Sequence, residues 1–221
     1  MHLVVSGEGK SDIGIGSYVD GTFIPAPMYQ MIDKIIEKKI GYSIYELTPS
    51  EITFVPKPEL ITICKSIKFL AGKKREKETG YFYKNAIGLS KIAKNKGDDV
   101  IAILFRDSDG TGTSPSNLYS KKVESIESAF ESEGVNGVAM IPNPKSEAWL
   151  ICMLKEHEYQ NCIVLETRSG NDDSPNSLKK EFGEILESKS IEYHDINEMI
   201  KNNEIDINLI DMPSFIYFKN K

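Results

Sequence analysis

The chain has 221 residues, 40% of them hydrophobic and 27% charged, with a formal net charge of −6. That length suits one domain, or one domain with a sizeable insertion, and the composition lies near the globular average, which argues against fibrous and disordered classes. The apolar stretches are too short to span a bilayer, and the first residues lack the basic start and long apolar run of a signal peptide, so a cytoplasmic protein with no membrane partner is expected.

In chain order, residues 3–6 form a short apolar run ending in glycine and charge, the pattern of a buried strand. Pro25 and Pro27 precede Met28, Met31, Ile32, Ile35 and Ile36, whose spacing marks the apolar stripe of a helix that Gly41 should stop. A second strand is expected at 52–55, before Pro56 and Pro58. From Glu59 to Gly97 the chain reads as lysine-rich and mostly helical, broken near Gly72 and Gly80. Residues 101–105 are the clearest strand, continuous and apolar, hence covered on both faces.

Asn117 can cap a helix carrying Val123, Ile126 and Phe130, ended by Gly134. Another strand follows at 138–141, and Ser146 opens a helix containing Trp149, Leu150, Met153 and Leu154. Beyond Glu158 the pattern weakens to a short strand at 163–165, a polar loop at 168–175, a helix at 178–186, and a tail whose Phe215, Ile216 and Phe218 should fold back on the body. Alternating strands and helices predict an α/β protein with a mostly parallel sheet and helices on both faces. Residues 41–97 read as a lysine-rich helical insertion, and a C-terminal extension begins at about residue 159.

The net charge hides an asymmetry, because residues 65–96 carry ten basic residues against Glu76 and Glu78. A basic arm on an acidic body suits an enzyme of polyanions, although a solvated helix face reads the same way. Within it, Lys73, Lys74, Arg75 and Lys77 precede Tyr81, Phe82 and Tyr83, a mix of charge and stackable rings suited to nucleic acid; at least one ring should belong to the core. Cys64, Cys152 and Cys162 are odd in number and form no CxxC pair, so three free buried thiols are expected; Cys152, His157 and Cys162 match no zinc-site spacing.

Two strands stop at acid: Val5-Ser6-Gly7-Glu8-Gly9-Lys10-Ser11-Asp12, and Phe105-Arg106-Asp107-Ser108-Asp109-Gly110. In parallel sheets, ligands bind beyond the carboxyl ends of the strands, so these carboxylates should face one crevice. Asp107 and Asp109 leave an extended chain on the same side. Clustered carboxylates repel unless a cation lies between them, and hard oxygen ligands favour Mg²⁺ or Mn²⁺, which can polarise a phosphate and activate water. Gly7, Gly9 and Gly110 should let a phosphate approach the backbone. Each motif alone is also an ordinary turn sequence. A P-loop is excluded because its first glycine would fall on Val4, and a dinucleotide fingerprint because Asp12 stands where glycine is required. Lys10 could neutralise a phosphate or be a solvated loop residue.

The pattern Glu8-Gly9-x-x-Asp12 after one strand and Asp107-x-Asp109-x-x-Gly112 after a later one resembles the Toprim domain, including its OLD-nuclease branch. The resemblance implies a Rossmann-like Toprim fold, with Glu8 as metal ligand or general acid/base, Asp107 and Asp109 holding Mg²⁺, and Asp12 as a second acid. Residues 141–150, with Pro142, Pro144, Glu147 and Trp149, resemble small Toprim-like proteins of the RloB and AbiL type, which makes Glu147 a candidate ligand; a helix cap is the alternative. The implied activity is metal-dependent hydrolysis of DNA or RNA, as a phage-defence or toxin effector. A non-catalytic binding subunit working with an ATPase partner, or a small-molecule phosphotransferase or nucleotide hydrolase, are the rival readings.

Overall fold

In the computed structural model, which describes residues 1–67, 77–108 and 118–221, the first half of the chain runs β1 (His2–Ser6), β2 (Gly14–Ser17), β3 (Thr22–Pro25), α1 (Pro27–Ile40), α2 (Ile44–Leu47), β4 (Ile52–Phe54) and α3 (Lys57–Cys64). It continues with α4 (Lys77–Lys94), β5 (Val100–Phe105), α5 (Leu118–Glu133), β6 (Gly137–Met140) and α6 (Ser146–Leu154). The remainder is α7 (Leu178–Lys189), α8 (Tyr193–Lys201) and α9 (Pro213–Lys219), with short 3₁₀ turns between.

All four expected strands from residue 3 to residue 141 join one sheet in the order β4-β1-β5-β6, every neighbour parallel. Their uninterrupted apolar character follows from burial on both faces. Leu3, Val5, Ile103, Phe105 and Met140 point to one face, where α1 and the C-terminal helices lie. Val4, Ala102, Leu104, Ala139 and Ile141 point to the other, beneath α3, α4 and α5. The period of two that sorts these residues fixes the register, since a one-residue slip would turn each face inside out. Residues 41–97 thus supply an edge strand and two covering helices of the sheet itself.

α1, which follows β1, and α5, which follows β5, lie on opposite faces of the sheet. Since β1 and β5 are neighbours, their carboxyl ends flank the point where the connections diverge, the place where α/β sheets open a crevice.

α1 starts at Pro27 and stops at Gly41, whose φ of 88° ends the helix in a left-handed turn. Gly134 ends α5 in the same way. The tail folds back as expected: Phe215 meets the Trp149 ring edge-on at 5.0 Å and Phe218 stacks on it at 6.1 Å. Trp149 donates its Nε1 proton to Ser214 Oγ (2.8 Å), and Ser214 in turn donates to Glu166.

Three features depart from the sequence reading. Residues 14–25 form an antiparallel hairpin, β2 with β3, in which Ile15 opposes Ile24 with both side chains exposed. The expected strand at 163–165 is a 3₁₀ helix, Cys162–Thr167. The three cysteines are not all free: Cys152 and Cys162 form a disulfide, because the end of α6 and the start of that 3₁₀ turn bring their Cα atoms to 5.4 Å. Cys64 remains a buried thiol. No helix among the described residues is long and apolar enough to cross a membrane.

Candidate functional site

Glu8 leaves the end of β1 and Asp107 the end of β5, so adjacent parallel strands deliver both to the same rim. The loop after β1 then turns back tightly: Ile13 N–H donates to Gly9 O (3.3 Å), and Asp12 O accepts from Met28 N–H (2.9 Å), tying the loop to the start of α1. The glycines serve that turn. A Cβ on Gly9 would lie 2.4 Å from Asp12 Oδ2, and one on Gly7 would lie 2.0 Å from Ile13 Cγ2. The space over them belongs to the chain's own side chains and not to a phosphate, which corrects the role expected of Gly7 and Gly9.

The acids meet at the N-terminus of α6. Lys145 at the N-cap supplies no side-chain cap, and Ser146 N–H donates instead to Asp107 Oδ1 at 3.0 Å. Ser146 Oγ donates to Asp12 Oδ1 at 2.9 Å and lies 3.4 Å from Glu147 Oε2. One buried serine therefore touches three carboxylates. The positive end of the helix macrodipole offsets part of their mutual repulsion. The loop from β6 is zipped against the loop from β5 by Ser108, whose N–H donates to Pro142 O (3.1 Å) and whose hydroxyl donates to Asn143 Oδ1 (3.0 Å). Position along the strand and helix capping together place Asp107 and Glu147.

The crowding shows in the ionisation of Asp12. Burial pushes its carboxyl up to about 6, Glu147 and Glu8 add to the shift, and the Ser146 hydroxyl and Lys145 oppose it. Tyr193, at the start of α8, is pushed up to about 12 by burial and by Glu147 and Asp12, so its phenol stays protonated beside the acids. Lys145 pairs with Asp172 at 2.6 Å, fastening the 168–175 loop next to the rim and holding the Asp172 carboxyl below its ordinary range.

Glu8 has a different environment. Its Oε1 accepts from Lys57 Nζ at 3.0 Å and lies 3.7 Å from Arg106 Nε. Arg106 is fully buried, its Nη1 donating to Phe105 O (2.6 Å) and its Nη2 to Asn85 Oδ1 (2.6 Å). Lys10 is exposed and makes no ion pair among the described residues. Asp109, Lys73, Lys74 and Arg75 lie outside the described residues, as does Asn117; Lys77 begins α4, but its side chain is outside the description. Of the three adjacent rings, Phe82 is buried in the core as expected.

The donor set of the rim is made of hard oxygens, the type that Mg²⁺ or Mn²⁺ takes, and Asp12 is the carboxyl whose proton a cation would displace. Among the described residues, the only three ligand atoms from His, Cys, Asp or Glu that lie within 4.8 Å of one another are those of Cys152, Cys162 and Asp211, and both sulfurs there are committed to the disulfide. No three rim carboxylates among the described residues come that close together; the Ser146 hydroxyl links Asp12 and Glu147, and its N–H holds Asp107.

Sequence reasoning did not find Ser146, Lys57, Arg106 or Tyr193 as members of the site. Only the lysine left a trace, as a charged residue between two prolines directly after a strand. Together the fold and rim define an α/β protein with a four-stranded parallel sheet and a group of acids at the carboxyl ends of β1 and β5. No protein-family model, curated protein or solved structure matches the chain.

Proposed function

We propose that the rim is the cation-assisted centre of a Toprim-like nuclease that hydrolyses phosphodiester bonds in DNA or RNA. The observation that carries this reading is the meeting of Asp12, Asp107 and Glu147 around Ser146, beside Glu8, at the carboxyl ends of β1 and β5. An acid after the first strand and an acid after its parallel neighbour is the order on which the Toprim resemblance rests, and Asp109 follows Asp107 in that pattern.

Asp12, Asp107 and Glu147, with Glu8 beside them, would hold Mg²⁺ or Mn²⁺, and the resemblance adds Asp109 to that set. When bound, such a cation supplies charge to the phosphate oxygens and acidifies a water. The chain's own contribution is separate. Ser146 keeps Asp12 and Glu147 facing each other, and its backbone N–H, at the N-terminus of α6, holds the Asp107 carboxyl in place. Glu8, which lies 3.7 Å from Arg106 Nε, would take the proton from the attacking water. The water oxygen bonds to phosphorus, and its proton passes to the carboxylate. The bridging P–O bond breaks with its electron pair on the departing oxygen, which takes a proton from solvent as Glu8 returns its own to solvent, leaving a phosphomonoester and a hydroxyl.

The test is incubation of the protein with Mg²⁺ or Mn²⁺ and, separately, tRNA, plasmid and single-stranded DNA, beside Asp107→Asn prepared identically. Cleavage by the parent chain and none by the variant is expected. Equal cleavage by both would assign the activity to a contaminant and remove this reading.

A further inference from the structure

We propose that Lys57 is a further catalytic residue, exchanging its partner from Glu8 to a non-bridging oxygen of the scissile phosphate, while buried Arg106 keeps Glu8 in place. The proposal deepens the nuclease reading and takes from it the identity of the anion.

Lys57 is the first residue of α3 and follows directly on β4, whose carboxyl end lies beside that of β1. Val55 N–H donates to Val5 O at 2.8 Å, so the strand that launches Lys57 is locked to the strand that launches Glu8. Pro56 and Pro58 bracket it; each lacks a backbone donor and restricts the turn. The lysine stem is thus fixed at its base, and its side chain is 35% exposed, enough for the ammonium to reach solvent.

A single carboxylate oxygen, Glu8 Oε1, faces two cations, Lys57 at 3.0 Å and Arg106 at 3.7 Å. Arg106 has no exposure, and its Nε, 3.7 Å from Glu8 Oε1, finds no hydrogen-bond partner. Breaking the Glu8–Arg106 pair would leave a buried charge uncompensated, so that pair should persist. Lys57 is the cation free to leave, because solvent can share its charge and its flexible stem carries a point charge to any oxygen within reach. The trio then presents net positive charge at the edge of an acidic rim, where a phosphodiester needs it.

The experiment measures binding of a short fluorescent single-stranded oligonucleotide in EDTA, where no cleavage can occur, across a series of salt concentrations. Lys57→Met should weaken binding about 3- to 10-fold and lower the salt slope by about 0.7, one phosphate contact on a single strand. Glu8→Gln, which frees the lysine, should tighten binding, and the double variant Glu8→Gln with Lys57→Met should lose that gain. The Glu8→Gln arm keeps the test valid should Lys57→Met fold poorly. With Mn²⁺ present, Lys57→Met should reduce kcat about 100-fold while changing KM less than 10-fold. Unchanged affinity and slope in Lys57→Met, or a Glu8→Gln gain that survives loss of the lysine, would overturn the proposal. Absence of cleavage by the parent chain under either cation would instead sink the nuclease reading, leaving the binding result to judge Lys57 on its own.

Discussion

Ser146 donates its hydroxyl to Asp12 Oδ1 at 2.9 Å, joining positions 134 residues apart in sequence. This contact fixes where the loop after β1 meets the start of α6, at a carboxyl whose ionisation burial opposes. Folding lifts the Asp12 carboxyl from its ordinary 3.8 to about 6. The folded chain therefore holds that proton more tightly than the unfolded chain. Stability from this group is greatest below the unfolded value and is lost as pH rises through about 6. Ionised Asp12 then costs about 3 kcal/mol at pH 8, two units at roughly 1.4 kcal/mol each. Asp12→Asn keeps an acceptor for Ser146 and removes the charge. In EDTA it should be more stable than the parent chain at pH 8 by about that amount, with the difference vanishing near pH 4. Denaturant unfolding at three pH values checks this; a gap independent of pH would show that Asp12 is not strained by ionisation.

Asp107 performs two tasks that substitutions can separate. As acceptor of the Ser146 N–H it caps α6, and as a carboxylate it is proposed to hold a cation. Asp107→Asn retains the cap, whereas Asp107→Ala loses it and should cost about 1 kcal/mol of stability. Both should lower cleavage at least 100-fold, since the negative oxygen is absent from each. Thermal unfolding beside a cleavage assay distinguishes them. Activity that follows stability, with Asp107→Asn behaving as the parent, would reduce Asp107 to a helix cap.

The parts of the fold legible in the sequence are those governed by local pattern. Strands β1, β4, β5 and β6 could be read because each is an apolar run bounded by glycine, proline or charge, and α1 because its stripe begins after Pro27 and ends at Gly41. The β2–β3 hairpin could not, because two of the four residues of β2 are glycine and Ile15 and Ile24 face outward, which leaves no alternation to detect. The 3₁₀ helix imitated a strand through Ile163 and Val164, both more than half exposed. At the rim, Glu8, Asp12, Asp107 and Glu147 were visible as acids after strands or at a helix start. Ser146 and Arg106 were not, and Lys57 showed only as a charge between two prolines, because what sets them apart is a tertiary neighbour that spacing along the chain does not encode. Cysteine counting failed for the same reason: parity bears on how many partners exist and says nothing of the 5.4 Å between two Cα atoms.

Arg106 should behave as a structural keystone beneath Glu8. Its Nη groups satisfy Phe105 O and Asn85 Oδ1 with no solvent to replace them. Arg106→Met strands both acceptors and leaves Glu8 to Lys57 alone, a loss of about 3 kcal/mol. Arg106→Lys should recover little, since a point charge cannot reproduce the fork that reaches two acceptors in fixed directions. Urea unfolding measures both variants. An Arg106→Met chain within about 0.5 kcal/mol of the parent would show that the buried guanidinium contributes no net stability, as ordinary surface substitutions do.

The disulfide makes a prediction independent of the rim. Of three cysteines, only Cys64 is free, and burial raises its pKa, so the native chain should react slowly with a thiol reagent. Unfolded without reductant, the chain should release one titratable thiol; unfolded with reductant and then desalted at low pH, it should release three. The Cys152–Cys162 link spans a sequence separation of 10, and closing so short a loop in the unfolded chain should be worth about 2–3 kcal/mol. Cys162→Ser should lower the unfolding free energy by that amount, and adding reductant to the parent chain should do the same. The closed loop joins the end of α6 to the turn carrying Glu166, which accepts from Ser214 N–H at 2.8 Å. Loosening it should therefore be felt first in the packing of α9, as a change in Trp149 fluorescence at denaturant concentrations too low to unfold the sheet.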